Sequence, residues 1–481
     1  MRPHHVLIFI ACCLACLAAL CLVLPNRVTV AGYTLHWPTL AQVFHRPVAA
    51  ETTPDIPAEW PTDTAEIAEL SDYIEDEIPE FPIYSGPIDT FDLPDWFDIP
   101  EWEDEDEMAE APSMPKRSAY VHVAQQPDTS IDSRLFLQSF YASLAEARTR
   151  KIRVVHYGDS QIEEDRMTQQ IRQKLQARFG GAGAGLVPLA QTIPSRTVHQ
   201  ELYMNGYKIT PQQGPRRYLV YGPKRTQRED GLYGPMGQMA VMNDTLVRGS
   251  EHLKAVVVPR DGGPRYSRVQ VLCEPSVYVR QDGDTVHLSG RGNVYGISQE
   301  SETGVIVDNM PMRGCLGLVF TKMDADQLTQ FCTQENVSLI ILQFGGNGIP
   351  YNNSTATIRS IVNGLRRQVR YLQDCAPDAN ILFIGPSDMI ATVNGVPQTH
   401  PMVSYMDRLL QKMAMEEEIA YFSLYRWMGG RGSMAHWQDI GLAGSDGVHF
   451  TRSGARKAGN AVADWILEGL TKIDQRLTTN D

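Results

Sequence analysis

Between Pro47 and Pro115 the chain has no lysine and no arginine, although 22 aspartates and glutamates fall there. A proline-rich segment with that balance cannot bury enough apolar surface to offset the entropy lost on ordering, which excludes a packed domain over this stretch. The rest of the 481 residues holds 35 of the 57 acids against all 43 bases. The formal charge of −14 thus joins a strongly acidic segment to a mildly basic body. Those bases are scattered, with no lysine- or arginine-rich run, which argues against a nucleic-acid partner. Beyond residue 27 cysteine is scarce: Cys273, Cys315, Cys332 and Cys375 stand far apart without a C-x-x-C pair, so no zinc or other metal site is expected. No disulfide pairing can be read from four such positions. A phosphate loop would need a lysine that "FGGAGAGL" lacks; its Gly180, Gly181, Gly183 and Gly185 follow a helical pattern rather than a strand and read as a flexible rim. No cofactor is expected.

What the chain does have begins with 19 uncharged apolar positions, Val6 to Leu24, after Arg2. That run is long enough to cross a bilayer as a helix and exceeds the usual apolar core of a cleaved signal. Residues 1–27 are read as a membrane anchor, with a cleaved signal or lipidation at Cys16 or Cys21 as open alternatives. Residues 28–117 read as an acidic, disordered linker. Its Trp60, Phe91, Trp96, Phe97 and Trp102 could dock on a partner protein.

From residue 118 the pattern turns globular. "IRVVHYG" predicts a buried strand, and "EEDRMTQQIRQKLQARFG" predicts a helix with Met167, Ile171, Leu175 and Phe179 on one face. The alternation returns after Cys332, where "VSLIILQFGG", "NILFIGP" and "IAYFSLY" are apolar strands separated by helical periods, and a last helix carries Val462, Ile466 and Leu470. Such alternation predicts an α/β domain with a mostly parallel sheet and helices on both faces. Between the halves, short β-rich runs such as "HLKAVVVP" and "TGVIVDN" predict an inserted β-sandwich. The expected division is 118–193 and 310–475 for the α/β domain and 194–309 for the insert.

Gly158-Asp159-Ser160 lies where the first strand leaves the sheet, the edge at which open α/β sheets bind ligands. The following helix start would favour an oxyanion near the Ser160 amide. A serine there can also be a plain helix cap. To act as a nucleophile it needs a base with an orienting carboxylate. "SDGVHFTRSG" offers both, with Asp446 three residues before His449. Donors for an oxyanion are available in Asn347, from "LQFGGNGIP", and in the Gly314 amide, from "DNMPMRGCLG". His156, inside a strand, reads as a core histidine. The insert tyrosines Tyr203, Tyr207, Tyr218, Tyr221, Tyr233 and Tyr266 suit either sugar stacking or a sandwich core.

In this order the pieces resemble the SGNH, or GDSL-type, hydrolases. Ser160 matches the nucleophile block, Gly314 the oxyanion glycine, Asn347 the oxyanion asparagine, and Asp446 with His449 the Asp-x-x-His block; Gln161 and Gly348 depart from the usual pattern. The resemblance implies a flavodoxin-like three-layer α/β/α fold and metal-free acyl chemistry, with Ser160, Asp446 and His449 catalytic and Ser160, Gly314 and Asn347 forming the oxyanion hole. With its β insert the layout looks like bacterial peptidoglycan or polysaccharide O-acetylesterases, whose insert resembles a carbohydrate-binding module. That implies an acylated glycan as substrate and a place in the cell envelope, on the extracytoplasmic side; the anchor and the aromatic acidic linker would also suit a complex with an envelope protein. A polysaccharide O-acetyltransferase and a non-catalytic glycan binder remain open on the same residues.

Overall fold

A computed structural model describes residues 132–242, 252–260, 266–350, 354–393 and 396–479, together with two short strands near the amino terminus. The expected anchor and almost all of the acidic linker lie outside the described residues. No described helix is long and apolar enough to cross a membrane. The linker reading needs one correction: Arg27–Val30 pairs antiparallel with Tyr33–His36. Two β-rich runs two residues apart have the spacing of a tight hairpin, so an unstructured tether does not start at residue 28. This hairpin belongs to one compact unit, residues 1–62, and everything below to the other, 63–481.

Five parallel strands build the central sheet: β1 (Lys151–Gly158), β2 (Gly304–Pro311), β3 (Val337–Gln343), β4 (Asn380–Ile384) and β5 (Ala420–Phe422). Their spatial order is 2-1-3-4-5, the flavodoxin-like arrangement expected from the sequence. Every residue of β1 is buried, and successive side chains go to opposite faces. Ile152 and Val154 join one core with Leu339, Ile341, Leu382 and Ile384; Val155 and Tyr157 join the other with Ile340, Leu342, Ile381 and Phe383.

Helices cover both cores. The first is closed by α1 (Gln138–Ala145), α2 (Thr168–Phe179) and the last helix, α6 (Arg452–Thr479), through Phe140, Ile171, Leu175, Val462 and Ile466. The second is closed by α3 (Ala325–Gln334), α4 (Thr355–Cys375) and α5 (Met402–Glu416), with Ile358, Ile361, Leu365, Val369 and Leu372 aligned along α4. Asp324 and Ser354 cap α3 and α4 by accepting from Gln327 N and Thr357 N. The three-layer α/β/α body follows from strands apolar on both faces and helices apolar on one.

The insert is built of two antiparallel five-stranded sheets that enclose a third core including Leu202, Ala255, Val257, Val286, Leu288 and Ile297. Its limits differ from those expected. Gly185–Val187 already pairs with the insert strand Gly292–Glu300, whereas Gly304–Pro311, whose first six residues fall within the expected 194–309, is β2 of the parallel sheet. An apolar β-branched run does not disclose which of two sheets it enters. The glycine run is likewise reassigned. A Cβ on Gly181 would lie 2.3 Å from the Val305 carbonyl oxygen, and one on Gly183 2.1 Å from that of Gln299. These glycines permit backbone-on-backbone packing at the start of β2, away from the Ser160 edge, and are not a rim of the site.

A cluster of buried charge joins the sheet to the insert. Arg153, 1 % exposed on β1, donates from Nη1 to both Asp308 carboxylate oxygens at 2.8 and 2.9 Å. Its Nη2 reaches Glu300 and, at 3.1 Å, Glu335. Lys151 Nζ donates to Glu300 at 2.8 Å, and Asp308 Oδ1 also accepts from Leu186 N at 2.7 Å. Both ends of the insert, Leu186 and Glu300, are thereby held to β1 and β2. Removing one partner from such a cluster strands the others without compensation. Asp308→Ala should cost about 3–5 kcal/mol in chemical denaturation; a loss below about 1 kcal/mol would show that the cluster does not tie the two parts together.

Candidate active site

Crossover direction reverses on the two sides of β1, so a cleft opens at the carboxyl ends of β1 and β3. Ser160 follows β1, Gly314 follows β2 and Asn347 follows β3, while Asp446 and His449 come from the loop before α6. Ser160 Oγ lies 2.8 Å from His449 Nε2, and His449 Nδ1 lies 2.8 Å from Asp446 Oδ2. The carboxylate can only accept, so Nδ1 carries the proton and Nε2 is left to accept from the Ser160 hydroxyl. Asp446 Oδ1 also accepts from the backbone N–H groups of Val448 and His449, each at 2.9 Å. Partial desolvation would raise the Asp446 pKa; those two N–H groups and the imidazole outweigh it and hold the carboxylate below its ordinary value.

The histidine loop is fixed from several directions. Gly444 N donates to His449 O at 2.7 Å, Ala443 pairs with Phe450, and Gln161 Nε2 donates to Val448 O at 2.7 Å. Gln161 thus ties the serine turn to the histidine loop.

The remaining residues are engaged in ways that the sequence did not disclose. Asn347 Nδ2 donates to Asp159 Oδ2 at 3.1 Å and to Cys315 O at 3.2 Å. Both amide hydrogens thus have partners within the chain. Gly314 adopts a left-handed φ of +71°, which favours glycine, and among the described residues nothing accepts from its N–H. Its loop is held to the serine turn by Met312 N donating to Gly158 O at 2.7 Å and by Arg313 with Glu163 at 3.5 Å.

The turn after Ser160 also departs from expectation. A regular helix was predicted there; instead Ser160–Asp165 forms a 3₁₀ segment kinked at Glu163 and Glu164, and α2 begins only at Thr168. The dipole of α2 therefore does not start at Ser160. Glu164 and Asp165 have φ of 61° and 66°, a conformation that costs side-chain-bearing residues on the order of 1–3 kcal/mol each. Insert residues hold it: Arg196 N donates to Glu164 O at 2.9 Å, Arg196 pairs with the Glu164 carboxylate at 2.5 Å, and the Thr197 hydroxyl donates to Asp165.

His156 is fully buried, is hydrogen-bonded to Gln343 and Thr168 through its two ring nitrogens, and is held neutral by desolvation with its pKa lowered to about 3. It is a core histidine, as expected. Of the insert tyrosines, Tyr233 is core at 1 % exposure and Tyr207 is 78 % exposed, so neither reading covers the set. The described cysteines Cys273, Cys315, Cys332 and Cys375 are free thiols. Among the described residues no cluster is arranged to hold a metal.

The fold is similar to that of a solved ester hydrolase. A solved peptidoglycan O-acetylesterase superposes with a TM-score of 0.56 at 22 % identity, covering 72 % of this chain and 97 % of its own. That share exceeds what the α/β layers alone could supply. Partial matches include an acetyl xylan esterase (TM-score 0.24, 13 % identity, 34 % of this chain and 80 % of its own) and the periplasmic domain of a lipopolysaccharide acetyltransferase from Salmonella serovar Paratyphi A (TM-score 0.25, 14 % identity, 35 % and 73 %). No protein-family model and no curated protein matches the sequence.

Asp159, 5 % exposed, accepts from Gln161 N at 2.9 Å and from Asn347, and desolvation pushes its pKa up to about 6. The folded state then binds its proton more tightly than the unfolded chain. The group's relative contribution to stability is greatest below about pH 4 and falls as pH rises through 6. An Asp159→Asn variant should therefore gain on the native protein by up to about 3 kcal/mol between pH 4 and pH 7, as read by denaturant unfolding at both values. A stability difference independent of pH would show that folding does not raise the pKa of the carboxyl.

Proposed function

We propose that this protein is a serine esterase that removes acyl groups, O-acetyl foremost, from a cell-envelope glycan such as peptidoglycan. The observation that carries the reading is the hydrogen-bonded chain from Ser160 Oγ through the His449 ring to Asp446. In this mechanism His449 Nε2 takes the hydroxyl proton as Oγ bonds to the ester carbonyl carbon, and Asp446 holds the imidazolium that forms. The oxyanion is met by the Ser160 and Gly314 amides and by Asn347. Asn347 must turn one N–H from its partners to do so, and the Cys315 carbonyl is the longer of the two contacts. His449 then protonates the leaving sugar oxygen, and water, deprotonated by the same nitrogen, releases the acid and restores Ser160. The fold shared with a peptidoglycan O-acetylesterase supports the substrate class. The apolar run from Val6 to Leu24 supports anchorage to a membrane, with the catalytic body on the extracytoplasmic side of a bacterial envelope and the acidic linker free to meet an envelope protein.

A fluorophosphonate probe should label Ser160 and nothing in Ser160→Ala. Turnover of p-nitrophenyl acetate should fall by several orders of magnitude in Ser160→Ala or His449→Ala, since the members of such a chain act as a unit. Asn347→Ala should cost on the order of 10²-fold or more in kcat. Equal rates in the native and Ser160→Ala proteins would leave a non-catalytic glycan binder. Acetyl appearing on an added glycan rather than in solution would make the protein a transferase.

A further inference from the structure

A cavity of about 240 Å³ opens beside the serine turn, between the α/β layers and the insert. It is lined by Glu163, Glu164 and Asp165 from the turn after Ser160, by Arg313 from the loop that carries Gly314, and by Arg217 and Gln238 from the insert. Sites for drug-sized ligands occupy roughly 300–1,000 Å³, so this one suits a single sugar unit with its substituents.

Its charges are unevenly matched. Each lining acid has a base of its own: Asp165 pairs with Arg172 at 2.5 Å, Glu164 with Arg196 at 2.5 Å and Glu163 with Arg313 at 3.5 Å. Arg217 has no acid. Its Nη1 and Nη2 donate to the neutral Thr192 Oγ1 at 3.3 Å and Gln238 Oε1 at 2.7 Å, and no described carboxylate lies within ion-pair distance. A guanidinium has five N–H donors, so three are left. Desolvation lowers the pKa of Arg217, with only the Tyr221 phenol nearby to favour the charge. A partly desolvated cation with unused donors facing a cavity is stabilised when a ligand brings the counter-charge.

We infer that this cavity is a subsite for a carboxylate-bearing sugar of the glycan, with Arg217 as the residue that pairs with the carboxylate. The inference rests on the esterase reading for its link to the ester at Ser160, since the lining includes the residue three places after Ser160 and the one before Gly314. A single unmatched positive charge suits a monoanion, and the planar guanidinium suits a carboxylate. The three acids around it disfavour a dianion such as a phosphate monoester.

Binding is measured by calorimetry on full-length Ser160→Ala, which needs no turnover, using O-acetylated oligogalacturonide and its carboxyl-reduced counterpart. The acidic form should bind at least about tenfold more tightly, the lower end for a charged hydrogen bond. Arg217→Gln in the same background, its fold checked by near-ultraviolet circular dichroism, should lose that preference, and Arg217→Lys should retain part of it. Equal binding of the two glycans overturns the inference without any variant, as does a preference that persists in Arg217→Gln. Displacement by inorganic phosphate as effective as by galacturonate overturns the carboxylate assignment. If the fluorophosphonate probe fails to label Ser160, the esterase reading falls while the binding preference still reports on the cavity.

Discussion

The reversal of crossover direction beside β1 is the constraint on which the site depends. With strand order 2-1-3-4-5, the chain leaves β1 for one neighbour and returns for the other, so the loops after β1 and β3 separate at the carboxyl edge. Ser160 and Asn347 stand on the loops just beyond those two strands. The histidine loop, although it comes from the far end of the chain, is drawn to the same place by Gln161 and by its own short β-bridge. Geometry at 2.8 Å on both sides of the imidazole is thus supported by the Ala443–Phe450 bridge and by the Gln161 side chain as well as by the three groups themselves.

The insert is built into this arrangement. Its first and last strands are fastened to β1 and β2 through Leu186, Glu300, Asp308 and Arg153, with charges so deeply buried that none is well solvated if its partners leave. On the side facing the serine turn the insert supplies Arg196, Thr197 and Arg217. The α/β layers contribute Ser160, His449 and Asp446, and the insert shapes what stands next to them.

Much of this was legible in the sequence, for reasons that can be named. Strands such as "VSLIILQ" are apolar on both faces because helices cover both, and the four-residue spacing along Thr355–Cys375 repeats the helical period. Ser160, Asn347, Asp446 and His449 stand at ends of such elements, where a parallel sheet presents its chemistry. The rest was hidden because its partners are remote. Arg153 looks like one polar residue in an apolar strand until Glu300, Asp308 and Glu335 arrive from 147, 155 and 182 positions away. The acids after Ser160 match the composition of a helix start, and only Arg196 and Thr197, some thirty residues on, reveal that they form a kinked turn instead. The "GVIVDNMP" strand could enter either sheet, since the apolar pattern of a strand carries no address.

Two neighbouring acidic residues in left-handed backbone, Glu164 and Asp165, are not a conformation this turn would keep by itself. Arg172 of α2 holds Asp165, but the rest of what holds them comes from the start of the sandwich, so excising the insert would remove the contacts that fix Glu164. The two parts of this fold therefore cannot be exchanged like beads on a string: a foreign sandwich grafted between β1 and β2 would inherit the duty of bracing the serine.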